Sequence, residues 1–165
     1  GMGLRAGFLF PTDGGFGGST RLTNLRATYK YELPTFFVEN TTLTGFTFGD
    51  GNFDWTLLDI GAARIFGTGD FSPYLGASVG VHTVTVERRE TVTTTYPGSG
   101  TYSWEQGRSQ TETAPTFDVV FGVIGLRTYD FELVAELRYH HVFEKYDEIG
   151  GGGAHGFMLT VGTAK

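Results

Sequence analysis

With 165 residues, of which 39% are hydrophobic, 15% aromatic and only 18% charged, the chain suits a single domain, 1–165, large enough to bury a core or close a barrel. A net charge of -6 and the lack of any Lys/Arg cluster exclude a nucleic-acid partner, whose phosphates would repel such a surface. The absence of cysteine excludes a disulfide framework, a cysteine-based zinc site and a thiol nucleophile, and no run of roughly 20 apolar residues provides a membrane-spanning helix.

A mean hydropathy of -0.11 does not exclude a membrane barrel, because only every second residue of a barrel strand faces lipid. The 26 glycines, together with abundant Thr, Phe and Tyr, favour β structure. The chain opens directly on a strand pattern, as expected of a mature chain whose targeting segment has been removed.

Eight alternating segments follow. The first sets Leu4, Ala6, Phe8 and Phe10 against Arg5, and a long connector, Pro11 to Thr20, leads to the second, where Leu25, Ala27, Tyr29 and Tyr31 oppose Arg26, Thr28, Lys30 and Glu32. After a tight turn at Leu33-Pro34-Thr35, the third, Phe36 to Phe48, puts Asn40, Thr42 and Thr44 on the parity of Phe36 and Val38. It is only weakly amphipathic and is expected to carry a bulge. Gly49 to Asn52 leads to the fourth, Phe53 to Phe66, with Asp59 turned inward beside Gly61 and Ala63 and Arg64 snorkelling outward at the rim.

Beyond the compact connector Gly67 to Pro73, the fifth segment sets Leu75, Ala77, Val79 and Val81 against Tyr74, Gly76, Ser78, Gly80 and His82. A very long connector, Arg88 to Pro115, precedes the sixth, with Phe117, Val119, Phe121 and Val123 outward and Asp118, Val120 and Gly122 inward. A minimal turn at Tyr129-Asp130 leads to the seventh, where Phe131, Leu133, Ala135, Leu137, Tyr139, His141 and Phe143 alternate with Glu132, Val134, Glu136, Arg138, His140 and Val142; period 2 fits this run better than period 3.6. Past the glycine-rich stretch Lys145 to His155, the eighth sets Phe157, Leu159 and Val161 against Met158, Thr160 and Gly162.

Long and short connectors alternate, so an up-and-down meander would carry long loops at one rim and short turns at the other, the habit of outer-membrane barrels. The inward parity collects Arg5, Arg26, Lys30 and Arg138 against Glu32, Asp59, Asp118, Glu132 and Glu136, with His82 and His140 beside them. This predicts a charge network filling a narrow lumen. Outward, Phe8, Phe10, Tyr29, Tyr31, Leu75, Val79, Phe117, Phe121, Leu133, Leu137, Tyr139 and Phe157 form the predicted lipid-facing band and girdle. Glycines on the polar parity, Gly76, Gly80, Gly122 and Gly162, make room inside a narrow barrel and would only weaken the solvent face of a soluble one.

The run Phe71-Ser72-Pro73-Tyr74-Leu75-Gly76-Ala77-Ser78-Val79-Gly80 resembles the "P-Y-x-G-x-x-x-G" signature of small outer-membrane barrels related to OmpA and OmpW, and Phe131 to Tyr139 resembles their penultimate strand. The resemblance implies an eight-stranded antiparallel transmembrane barrel in the outer membrane of a Gram-negative bacterium, with outer-membrane lipid and the barrel insertion machinery as partners. Such barrels usually end on an aromatic residue, whereas this chain ends Val161-Gly162-Thr163-Ala164-Lys165.

No catalytic residue, metal site or cofactor emerges. Tyr139-His140-His141-Val142-Phe143-Glu144 faintly resembles the lipid A 3-O-deacylase strand, but Phe143 stands where its serine nucleophile would be. His140 and His141, adjacent on a strand, face opposite sides and cannot chelate one ion. Gly150 to Gly153 lacks the Lys-Ser/Thr of a phosphate loop, and Asp13-Gly14-Gly15 and Asp50-Gly51-Asn52 read as turns rather than calcium loops. The stretch Glu90 to Ala114, with Tyr102 and Trp104 near its tip, reads as a solvated hairpin extension, or alternatively as an adhesive or ligand-contacting surface. The expected function is structural or surface-contact. The alternatives are a narrow conduit for small or hydrophobic solutes and a soluble lipocalin-like barrel holding a small apolar ligand.

Overall fold

A computed structural model describes residues 1–12, 22–46, 52–98, 100–143 and 155–165. Eight strands, β1 (Met2–Pro11), β2 (Leu22–Leu33), β3 (Phe36–Phe46), β4 (Asn52–Ile65), β5 (Phe71–Tyr96), β6 (Gly100–Gly125), β7 (Glu132–Val142) and β8 (Gly156–Ala164), pair in sequence order and close into an antiparallel barrel. Closure is made by β1 against β8, from Gly3↔Ala164 to Pro11↔Gly156, so no strand of the wall is left with an open edge. The 11 residues of β7 rise roughly 36 Å, which at a tilt of ~45° spans about 26 Å, the height of an outer-membrane apolar band.

Burial alternates with period 2 around the wall. The outward parity is apolar and open, as with Leu58, Ile60, Leu75, Val79, Phe121, Leu133 and Leu159. The inward parity holds Arg5, Arg26, Arg138 and their carboxylates at 1–3% exposure. A soluble barrel around an apolar ligand needs the reverse. An apolar exterior of this height, around an interior packed with ions, is stable only in lipid.

Three expectations are corrected. β3 contains no bulge between Phe36 and Phe46: its pairing to β2 runs without interruption from Leu33↔Phe36 to Thr23↔Phe46, set by the two-residue turn at Pro34-Thr35. Thr47 and Phe48 lie outside the described residues. The very long connector Arg88 to Pro115 is mostly strand, paired continuously as far as Tyr96↔Gly100. Its β-branched run, Thr91-Val92-Thr93-Thr94-Thr95, suits a pleated ladder, and hydroxyl pairs at Thr83–Thr113, Thr85–Thr111 and Thr95–Thr101, each 3.1 Å, cross it. Gly98 and Gly100, with φ of 86° and 94°, supply the left-handed backbone of the reversal. The β6–β7 turn is wider than Tyr129-Asp130: it starts at Leu126, whose φ of 58° reverses the chain and whose carbonyl accepts from Tyr129 N–H at 3.0 Å.

Gly1 and Lys165 lie at the rim of the short turns, around a cavity of about 520 Å³ that also takes in Pro34, Thr68 and Arg127. Asp13-Gly14-Gly15, Asp50-Gly51 and Gly150 to Gly153 fall outside the described residues.

Candidate functional site: a charged lumen between two apolar layers

The register brings residues from seven strands to one level of the lumen. Arg5 (β1), Arg26 (β2) and Arg138 (β7) all reach Glu39 (β3) and Glu136 (β7). Arg5 donates to Glu136 Oε2 at 2.8 Å and to Glu39 Oε2 at 3.2 Å. Arg26 donates to Glu136 Oε1, to Glu39 Oε1 at 2.6 Å and to Thr41 Oγ1 at 3.0 Å. Arg138 spreads furthest, with Nη1 on Asp59 at 2.6 Å, Asp118 at 2.7 Å and Ser78 at 3.0 Å, Nη2 on Glu39 at 3.2 Å and Nε on Glu136 at 3.1 Å. The Tyr74 hydroxyl adds a bond to Glu136 Oε2 at 2.8 Å. Guanidiniums serve here because their planar donor fork satisfies several carboxylates at once, which a lysine ammonium cannot do in one plane.

On the long-hairpin side the network runs into an imidazole pair. Asp118 Oδ1 lies 2.6 Å from His140 Nδ1, His140 Nε2 lies 3.4 Å from His82 Nδ1, and the Trp55 ring stands edge-on to His82 with centroids 5.2 Å apart. Of the histidines adjacent in sequence, His140 is buried inside, while His141 is outside, stacked on His155 at 4.4 Å. A serine or threonine poised as a nucleophile against His140 is not among its described partners, which are Asp118 and His82.

Two apolar layers enclose the ions. Toward the long hairpin lie Leu9, Leu43, Trp55, Leu57, Val84, Ala114, Val142 and Met158. Toward the short turns lie Phe37, Ala63, Ile65, Tyr74, Val120, Ile124, Val134 and Ala164. Ions shielded at both ends from water lose hydration, which only dense mutual pairing offsets.

The expected network residues thus occupy two places. Arg5, Arg26, Asp59, His82, Asp118, Glu136, Arg138 and His140 form the central cluster. Lys30, Glu32 and Glu132 form another at the short-turn rim, where Lys30 Nζ bonds both carboxylates. There Arg127 donates to Glu32 at 2.6 Å, Gly67 O at 3.0 Å, Leu33 O at 3.3 Å and Pro34 O at 2.7 Å, tying the short turns together. The outward set, from Phe8 and Phe10 through Tyr29, Tyr31, Leu75, Val79, Phe117, Phe121, Leu133, Leu137 and Tyr139 to Phe157, lies open on the exterior. Arg64 is on the same face, its guanidinium 5.6 Å from the Phe66 ring.

Sequence reasoning missed Glu39, Tyr74 and Arg127. A signal for Glu39 was present: a two-residue turn at Pro34-Thr35 places Glu39 opposite Lys30, and cross-strand partners share a face. Tyr74 was on the inward parity but not among the network residues, and its role depends on Gly122, where an added Cβ would sit 2.3 Å from the Tyr74 ring. Arg127 lies in a turn, where periodicity says nothing.

No protein-family model and no curated protein matches the chain. Solved structures do. The chain is similar to Neisserial surface protein A, with a TM-score of 0.68 and 17% identity over 98% of this chain and 93% of that one. It is similar to Ail, the attachment invasion locus protein of Yersinia pestis, solved with the heparin analogue sucrose octasulfate, with a TM-score of 0.58 and 13% identity over 98% and 95%. The N-terminal β-barrel domain of Pseudomonas aeruginosa OprF gives 0.50 and 18% over 98% and 94%. Closed pairing in sequence order, an apolar exterior and these likenesses together identify the fold as that of the small eight-stranded transmembrane barrels of the outer membrane.

Proposed function

We propose that the chain is a non-conducting, non-enzymatic protein of a Gram-negative outer membrane, where the barrel is an anchor and the projecting β5–β6 hairpin is the contact surface. The observation that carries this reading is the lumen: an ion layer cross-linked through Glu39 and Glu136 lies between two layers of buried apolar side chains, which supports a filled interior rather than a channel. Short turns would lie in the periplasm and the hairpin outside, by the habit of such barrels. Lipid covers the girdle in this reading, the barrel insertion machinery assembles it, and no cofactor takes part.

From Arg88 to Tyr96 the hairpin runs past the last β4 partner of β5, roughly 30 Å of ladder at about 3.3 Å per residue. Near its end Tyr96, Tyr102 and Trp104 are exposed, on the parity that continues the lumen face. Rigid aromatic side chains on an ordered ladder bind at low entropic cost, which favours surface contact over a passive loop. The test is planar-bilayer recording of the refolded chain beside a variant with Arg89–Gly107 replaced by a two-residue turn. Both should stay electrically silent and heat-modifiable on gels, and only the parent should adhere to glycan- or cell-coated surfaces. Stepwise conductance in the parent would refute the plug, and equal adhesion by both would refute the hairpin as the contact surface.

A further inference from the structure

On the long-hairpin side of the lumen, several buried polar groups have no hydrogen bond to any described residue. Asn24 is 1% exposed, and neither its amide oxygen nor its amide nitrogen finds a hydrogen bond among the described residues. The same holds for Thr160 Oγ1, at 2% exposure, and Trp55 Nε1, at 1%. The register sets them in one row: Thr160 pairs with Gly7, Gly7 with Asn24, Asn24 with Gly45, and Gly45 with Trp55. Glycine flanks Asn24 on both sides. Over Gly45 the room is filled by the Trp55 indole, since a Cβ there would lie 1.7 Å from Nε1, so that N–H lies over the residue that pairs with Asn24. Over Gly7 a Cβ would lie 1.9 Å from Leu159 O and 2.8 Å from Thr160 Cα, so glycine there lets strand β8 approach closely.

From this row we infer a built internal site, Asn24–Trp55–Thr160, that holds ordered water. The chemistry selects the occupant. The row offers donors from the amide and the indole and acceptors from the amide and the hydroxyl, a mixed set that a molecule both donating and accepting satisfies. A cation would be opposed by the indole N–H, an anion by Glu136, which pairs with Thr160 in the register, and an apolar guest would leave every group unsatisfied. Leu9 and Met158, the pair one inward step beyond Gly7 and Thr160, lie on the hairpin side, and the 1–2% exposure of Asn24, Trp55 and Thr160 makes the water enclosed rather than part of a bulk column. The site adds hydration to the lumen without opening it, and stands whether or not the hairpin binds a partner.

The test is water-selective NMR on the full chain in deuterated-detergent micelles. There are two tryptophans, and Trp104→Phe assigns the Trp55 indole proton. Cross-peaks between that proton and water, with opposite signs in the laboratory and rotating frames, report long-lived bound water rather than exchange. They are expected in the parent and should be lost in Asn24→Leu and Thr160→Val, both of which should unfold at lower urea than the parent. If Asn24→Leu does not fold, Thr160→Val, which removes one hydroxyl at nearly constant shape, carries the comparison. A parent without such cross-peaks, or variants that keep the parent's unfolding midpoint, would overturn the site.

Discussion

Glu136→Leu is the most searching perturbation of the lumen. Glu136 takes donors from Arg5 at 2.8 Å, Arg138 at 3.1 Å, Tyr74 at 2.8 Å and Arg26. Leucine keeps most of the volume but removes the acceptor, leaving three guanidiniums to share Glu39, Asp59 and Asp118 under two apolar layers. Removing one partner of a buried ion pair costs about 3–5 kcal/mol, most of it the desolvation of the charge left behind. With a urea slope of about 2 kcal/mol per M, the unfolding midpoint should fall by ~2 M. The assay is equilibrium unfolding in lipid vesicles, followed by the heat-modifiable gel band and by tryptophan fluorescence. Gln106→Leu on the exposed hairpin is the control, expected within about 0.5 kcal/mol. A loss below ~1 kcal/mol for Glu136→Leu would refute the account of the lumen as a mutually dependent network. Pairing it with Arg138→Met should cost less than the two single losses added, because the two share a contact.

Other outcomes follow from single contacts. Gly122→Ala should cost about 1–3 kcal/mol by overpacking, since the new methyl lands on the Tyr74 ring and pushes its hydroxyl off Glu136; thermal unfolding in micelles reads this, and Tyr74→Phe should relieve only part of it. Leu137→Arg, on the outer face at the level of the ion layer, should cost ~2–4 kcal/mol in bilayers, whereas Thr93→Arg on the hairpin should be near neutral; equal costs would mean that the band is misplaced. Arg127→Ala should leave the wall intact but speed amide exchange at the turns it ties, read by hydrogen exchange at Leu33, Thr35 and Gly67.

Much of this protein is written locally. Strict alternation along β7 and β5 is a consequence of the two-residue period of a strand, so Glu136 and Arg138 could be placed inside and Leu133 and Leu137 outside before any pairing was known. The turn at Pro34-Thr35 likewise carried the register of β2 and β3, although the weak alternation of Phe36 to Phe46 hid it and left Glu39 unassigned. Local pattern also told that Glu90 to Ala114 favours a hairpin, but where strand ends and turn begins depended on cross-strand threonine pairs that only exist once the strands meet.

Closure decided the rest. A face says that a side chain points inward, not whom it meets, and Arg5, Glu39, Asp59, Asp118 and Glu136 lie far apart in the chain until the last strand is docked on the first. The separation of Lys30, Glu32 and Glu132 from the central cluster, the stacking of an apolar layer on each side of it and the isolation of Asn24 all come from the axial stagger of strands around a narrow cylinder. Period 2 fixes inside and outside because it is a property of one strand, whereas height along the lumen is a property of eight strands closed together, and so belongs to the tertiary structure alone.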